Sequence, residues 1–291
     1  MTLDDCRSFY AEEIRFAANV SSPALLNAFA RVPRENFLGP GPWKVASIDM
    51  GLGGTAYIET PDADPKHLYH NVPVALDPAR DLNNGQPATL AKWIDALNPK
   101  SGDRVFHLGC GVGYYTAIIA EIVGPTGRVI ASEVDPELAA RAQKNLAPWA
   151  RVNVHCGDGA ALDPGECDAM LINAGVTHPR RPWLEGLRQG GRLLVPLTVA
   201  MGMGMGASLG KGVMARITRE ANGYSAQMVT FVAIYSCTSV RDPQLEPALA
   251  KALSTMALMK MKSVRLDAHQ PNDTCILHRP DVCLSKEALP S

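Results

Sequence analysis

The sequence lacks an excess of charge of either sign: 28 Lys and Arg stand against 29 Asp and Glu, a net charge of −1. A nucleic-acid partner calls for a basic patch or stripe against the phosphate backbone, so polynucleotides are not expected as partners. The sequence also lacks any Cys-x-x-Cys pair. Its seven cysteines (Cys6, Cys110, Cys156, Cys167, Cys237, Cys275 and Cys283) are odd in number and widely scattered. That argues against a disulfide framework or a zinc knuckle and for reduced, mostly buried thiols in a cytoplasmic protein. No residue is assigned to a metal. No stretch approaches the roughly 18 consecutive apolar residues that cross a bilayer. The N-terminal MTLDDCRSFYAEEIRF carries Asp4, Asp5, Glu12 and Glu13, where a secretory signal needs a basic start and an apolar run. A membrane is therefore not expected as a partner either.

What is present is a globular composition, 46% hydrophobic and 20% charged over 291 residues. That length suits one large domain with extensions or about two domains. Three textures follow one another along the chain. Residues 1–84 form an N-terminal extension: helical to about residue 38, with Ser22-Pro23 starting the second helix, because proline fits a first turn that needs no N–H. From Gly39 to about Asn84 the Gly-, Pro-, Asp- and Asn-rich sequence predicts mostly irregular loop with one short hairpin. Residues 85–240 alternate helices (ATLAKWIDAL, YYTAIIAEIV, DPELAARAQKNLA, RRPWLEGLRQ) with uniformly apolar strands (DRVFHLGC, GRVIASEV, VNVHCGD, DAMLINAG, GGRLLVPLTV). Strands of that kind belong in a covered, mostly parallel sheet, so the fold class is α/β, doubly wound. MARITRE and MVTFVAIYSC around ANGY predict a C-terminal antiparallel hairpin at the sheet edge, preceded by a loop at 201–212. Residues 241–291 are a C-terminal extension: a helix, a short strand, then irregular Cys-containing sequence.

Chemistry concentrates at Gly109-Cys110-Gly111-Val112-Gly113, between a strand and a helix. Glycines there let the backbone turn sharply and approach a ligand, with helix N–H groups pointing at it. Glu133 ends the next strand, where a carboxylate can accept both hydroxyl protons of a ribose. Asp158, in Gly157-Asp158-Gly159, ends the third strand and is placed to accept from an adenine amine. Together these predict an adenosine-containing cofactor, NAD or S-adenosylmethionine. A dinucleotide needs a G-x-G-x-x-G seat for its pyrophosphate; here Tyr114 occupies the last of those positions, which crowds a pyrophosphate and favours the smaller cofactor.

The run from DRVFHLGCGVGYYTAIIAEIVG through RVIASEVDPELAARAQKNL, GDG, DAMLINAG and LRQGGRLLVPL resembles the S-adenosylmethionine-dependent methyltransferases with a Rossmann-like fold. RVPRENFLGP (31–40), LYHNVPVAL (68–76) and the Gln-Pro at 86–87 are similar to segments of the protein-L-isoaspartate O-methyltransferase family. The resemblance implies that Gly109, Gly111 and Gly113 face the methionine part, Glu133 the ribose and Asp158 the adenine, with Tyr114 and Gly159 beside them. It also makes residues 1–84 the cap over the acceptor.

The departures fall on the acceptor side. Where the family carries Ser before Gln-Pro this chain has Gly85, and where it carries Asp after Tyr-x this chain has Asn71. His107 stands where an acidic residue usually precedes the first glycine. Asn71, Asn83, Asn84 and Gln86 are the candidate acceptor-binding residues. His178, Tyr69 and His70 are the catalytic candidates, His178 because it follows the fourth strand, where α/β enzymes hold their ligands. Tyr69 and His107 also fit plain core packing, and Trp43 is the tryptophan placed to touch substrate. The expected activity is O-methyl transfer to a peptide carboxylate or a small-molecule acceptor; the alternatives are a non-catalytic adenosine-binding scaffold and, more remotely, a dehydrogenase.

Overall fold

The computed structural model describes residues 2–51, 54–201 and 209–290. In chain order the elements are α1 (Leu3–Ala18), α2 (Pro23–Arg31), β1 (Lys44–Gly51), β2 (Gly54–Glu59), β3 (Ala75–Asp77), β4 (Leu82–Asn83), α3 (Pro87–Leu97), β5 (Arg104–Leu108), α4 (Tyr114–Val123), β6 (Arg128–Glu133), α5 (Pro136–Asn145), β7 (Val152–Cys156), β8 (Cys167–Ile172), α6 (Arg181–Glu185), β9 (Leu187–Ala200), β10 (Leu209–Glu220), β11 (Gly223–Tyr235), α7 (Glu246–Ser254), β12 (Ser263–Arg265), β13 (Cys275–His278) and β14 (Cys283–Ser285). The chain divides into two compact units: residues 1–102 with 110–157, and residues 103–109 with 158–291.

In the first unit, local chemistry sets the helix ends. The Ser22 hydroxyl accepts from Leu25 N–H with Pro23 in the first turn, and Asp135 accepts from Glu137 and Leu138 N–H ahead of Pro136. Such caps satisfy backbone donors that the helix itself leaves open. Helix α4 is buried along nearly its whole length, and β6 pairs with β7 in parallel. Tyr10, Phe29, Phe37, Tyr69 and Tyr114 meet edge-on, with ring centroids 5.5–6.3 Å apart, the arrangement their quadrupoles favour. Residues 39–84 hold two hairpins, β1–β2 and β3–β4, rather than one. Trp43, expected to touch substrate, is instead core: it packs with Leu38, Leu68 and Val74 and donates from Nε1 to Gly39 O at 3.0 Å.

In the second unit the strand order is β13-β14-β12-β11-β10-β9-β8-β5. β5, β8 and β9 are parallel, as expected of an α/β fold, and the remainder is antiparallel. Four expectations need correction. The β10–β11 hairpin is interior, because β12, β14 and β13 add to its outer side. The tail is therefore not irregular after its first strand; its strands of three or four residues are too short to display an alternation. The helix expected over 180–189 ends at Glu185, and β9 takes over from Leu187. Of the loop expected at 201–212, Leu209–Gly212 is already β10; residues 202–208 lie outside the described residues. Among the described residues no helix is long and apolar enough to cross a membrane.

The constraint that organises the first unit is Arg34, which is fully buried. Its Nη1 donates to Leu68 O at 2.5 Å and His70 O at 3.0 Å, and its Nη2 to Val72 O at 2.7 Å and Asn84 Oδ1 at 3.4 Å. Carbonyl dipoles, together with the faces of Tyr10 and Tyr114 at 5.7 and 6.0 Å, offset the desolvated charge. Arg34→Gln should lower unfolding free energy by about 3 kcal/mol or more, since several buried oxygens lose their donors together. Urea denaturation checks this; an unchanged midpoint at unchanged slope would contradict it.

Candidate functional site

The three glycines of the strand–helix turn all have positive φ, but for different reasons. A Cβ on Gly109 (φ +77°) would come within 3.0 Å of Asn173 O, and one on Gly113 (φ +94°) within 2.7 Å of Leu146 Cδ1. Those two are glycines because their own unit packs against them. A Cβ on Gly111 (φ +56°) would meet nothing within 4 Å. Its backbone faces open space, so Gly111 is where another molecule can come close. Tyr114, the next residue but two, is only 1% exposed and turned into the aromatic cluster.

Glu133 ends β6 and is 8% exposed. Gly111 N–H donates to its Oε2 at 2.8 Å and Asp135 N–H to its Oε1 at 3.1 Å. Two backbone donors hold the carboxylate in one orientation beside the open Gly111 face. Each oxygen keeps lone-pair capacity for a further donor. In the second unit, Asp158 Oδ1 accepts from Ala160 N–H and from the Ser239 hydroxyl, both at 2.9 Å, and Gly159 is buried beside it. Ser239 lies 81 residues further along the chain, so only its place just after the predicted hairpin could have pointed to it.

Of the expected acceptor residues, Asn71 and Gln86 are hydrogen-bonded to each other, while Asn83 and Asn84 are held separately. Gln86 Nε2 donates to Asn71 O at 2.7 Å and Asn71 Oδ1 at 3.1 Å, and that same Oδ1 accepts from Ala88 N–H at 2.9 Å in the first turn of α3. Asn83 Oδ1 accepts from Gly85 N–H at 2.9 Å. Asn84 Oδ1 accepts from Val74 N–H at 2.8 Å, which fixes the amide's orientation and leaves its Nδ2 a buried donor with no hydrogen-bond partner among the described residues. Gly85 has φ +81°, and a Cβ there would lie 3.0 Å from Leu90 Cδ2, so this turn is shaped for glycine.

The catalytic candidates are placed unevenly. The Tyr69 hydroxyl accepts from Arg7 Nε at 2.9 Å and from Arg34 N–H at 3.2 Å, and it donates to Glu35. Burial and the neighbouring Glu35 push its pKa up. Its hydroxyl is committed to structure. His70 is exposed. Thr177 Oγ1 accepts from Asp242 N–H at 3.0 Å and lies 3.0 Å from His178 Nδ1. Burial first, and then the Arg279 guanidinium, push the His178 pKa down to about 4 against the opposing Asp281 and Asp242. It is therefore a neutral imidazole of low basicity at pH 7.

His107, 0% exposed in β5, is pushed down from 6.5 to about 4 by burial. A histidine whose folded pKa is depressed favours folding while neutral in both states, and that contribution is lost as pH falls from about 6.5 toward 4. Acidification from pH 7 to 5 should therefore cost about 2 kcal/mol through His107 alone. Stability of the wild type and of His107→Gln at both pH values checks this: the variant should lose correspondingly less, and equal losses would contradict it.

The sequence pattern of the family described as protein-L-isoaspartate(D-aspartate) O-methyltransferase matches residues 59–235. The chain belongs to that family. Protein-L-isoaspartate O-methyltransferase of Aeropyrum pernix is 31% identical over 198 residues, 66% of this chain and 67% of the relative. Protein-L-isoaspartate O-methyltransferase 1 of Archaeoglobus fulgidus is 30% identical over 201 residues, 68% of this chain and 82% of the relative. Among solved structures, the Plasmodium falciparum member in complex with S-adenosyl-L-homocysteine superposes with a TM-score of 0.59 at 16% identity, covering 80% of this chain and 98% of that one. The protein-L-isoaspartate O-methyltransferase fold is thus the Rossmann-like fold of this chain.

Proposed function

We propose that this family member transfers a methyl group from S-adenosylmethionine to a carboxylate oxygen, on a peptide carrying β-linked aspartate or on a small-molecule acid. The observation that carries the cofactor half is Glu133, its carboxylate held by Gly111 and Asp135 N–H groups beside the open face of Gly111. Glu133 then accepts the ribose hydroxyls, the glycine turn faces the methionine part, and Asp158, oriented by Ser239, takes the adenine amine. Residues 1–84 serve as the cap on the acceptor side. Free cysteines throughout fit a cytoplasmic setting.

The acceptor half rests on the scarcity of a base. Methyl transfer from a sulfonium is an in-line displacement, which positioning in a dry site can largely accomplish. A carboxylate is already ionised at neutral pH and needs no proton removed, whereas a hydroxyl or amine benefits from a general base. Tyr69 has its hydroxyl engaged and its pKa raised, and His178 is a weak base with Nδ1 beside Thr177. Asn71 accepts two donors through Oδ1, a task that an amide oxygen performs as an aspartate would. The exchange removes a charge but not the geometry. The Nδ2 of Asn84 offers a buried donor to one acceptor oxygen.

Labelled S-adenosylmethionine and an isoaspartyl peptide should give transfer to a product whose label mild base releases, as a methyl ester does. Transfer to a base-stable product would overturn the carboxylate, and cofactor binding without transfer to any carboxylic acid would favour the scaffold reading. Glu133→Ala should weaken S-adenosylhomocysteine binding by about 1–3 kcal/mol, from the loss of charge-assisted hydrogen bonds. Calorimetric titration reads this, and an unchanged dissociation constant would remove Glu133 from the site.

A further inference from the structure

The C-terminal extension holds a cluster outside the residues proposed for methyl transfer. His269, Cys275, His278 and Cys283 each present a ligand atom within 4.8 Å of all the others. Their spacing is H-x5-C-x2-H-x4-C. It escapes a reading that looks only for Cys-x-x-Cys, but Cys275-x-x-His278 is the same short chelate with an imidazole in place of one thiol.

The backbone builds the cluster deliberately. On a regular strand, Cys275 and His278 are an odd number of residues apart and would point to opposite faces of the sheet. The β13–β14 pairing is irregular between Cys275 and Leu277, and an inserted residue of this kind re-aims the side chains that follow it. His278 then pairs directly with Cys283 across the hairpin. His269 reaches in from the preceding loop: its Nδ1 donates to Asp267 O at 2.9 Å, which turns Nε2 toward Cys275 Sγ at 3.6 Å. A backbone carbonyl on the far nitrogen is the usual device for orienting a metal-binding imidazole. Tetrahedral zinc with a sulfur at about 2.3 Å and a nitrogen at about 2.0 Å sets those two ligands about 3.5 Å apart.

The surroundings also suit a bound cation. Cys283 is fully buried, and His278 Nδ1 is buried with no hydrogen-bond partner among the described residues. Asn272 N–H donates to Cys275 Sγ at 3.4 Å, an interaction that favours a thiolate. The His269 and His278 rings lie 4.8 Å apart and near-perpendicular, so neither ring blocks the other from a shared centre.

We propose that His269, Cys275, His278 and Cys283 form a structural zinc site that fastens the β12–β14–β13 edge of the second unit. The donor set of two thiols and two imidazoles selects zinc over harder cations, and four protein ligands leave no open position for catalysis. The strands it joins are three or four residues long, too short to be held by ladder hydrogen bonds alone, and a metal clip is a common remedy where little core is available. This assignment is independent of the methyl-transfer reading and would survive its failure.

The full-length chain, purified without chelators, should carry about one equivalent of zinc as measured by elemental mass spectrometry. Metal-depleted wild type titrated with Co²⁺ should develop the intense visible bands of a tetrahedral site together with thiolate charge-transfer absorption. Cys275→Ala and His269→Ala should each lose bound metal and the cobalt spectrum, whereas Cys156→Ser, at an exposed cysteine of the first unit, should retain both. Because the cobalt spectrum is read on wild type, poor folding of a variant cannot decide the matter. Three results would overturn the site: a metal-free chain with no cobalt spectrum, metal retained in Cys275→Ala, or a Cys275–Cys283 disulfide shown by thiol counting under non-reducing conditions.

Discussion

A buried guanidinium is the constraint on which the first unit turns. Among the described residues the Arg34 guanidinium is held by main-chain carbonyls of Leu68, His70 and Val72 and by Asn84 rather than by a carboxylate. Because a desolvated charge tolerates few alternative arrangements, this one side chain fixes the path of residues 68–72 against the turn at 82–85. Asn71, within that path, then meets Gln86 and the first turn of α3. The Val-Pro-Arg segment at 32–34 is therefore an anchor for the loops proposed to face the acceptor. Tyr69 belongs to the same anchor, joined to Arg7 and Glu35.

The cofactor-side residues work by a different economy. Gly109 and Gly113 are required by close packing against Asn173 and Leu146, and Gly111 by openness. Glu133 is restrained by donors from the glycine turn and from the start of the next helix, so its orientation is fixed before any ligand arrives. Preorganisation of that kind lowers the cost of binding. Of the catalytic candidates, His178 is a weak base and the Tyr69 hydroxyl is engaged, so the proposed transfer relies mainly on positioning. That suits an acceptor that arrives already ionised.

Much of this was legible in the sequence where the signal is local. Ser22-Pro23 and Asp135-Pro136 announce helix starts because capping involves only neighbouring residues, and most parallel strands announce themselves by predominantly apolar runs, the exception being β7, which is exposed at Asn153, His155 and Cys156. The edge strands Cys275–His278 and Cys283–Ser285 were hidden because each is only three or four residues long and exists through pairing, with one another and with Ser263–Arg265. The glycine motif, Glu133 and Asp158 were legible as residue types in a spacing. Which glycine is open, the bond from Ser239 to Asp158, and the burial and Arg279 charge that make His178 a poor base depend on tertiary placement, which no spacing encodes. The cluster at 269–283 was hidden for a related reason: a β-irregularity, invisible in the sequence, brings Cys275 and His278 to one side.

The central claim is methyl transfer to an acceptor that needs no deprotonation by the protein. The most direct test is the pH dependence of kcat with a carboxylic acid acceptor at saturating S-adenosylmethionine. A rate that stays level from about pH 6 to 9, above the ordinary carboxylate range, is the predicted result. A rate that climbs about tenfold per pH unit across that window would reveal an essential base and contradict the account.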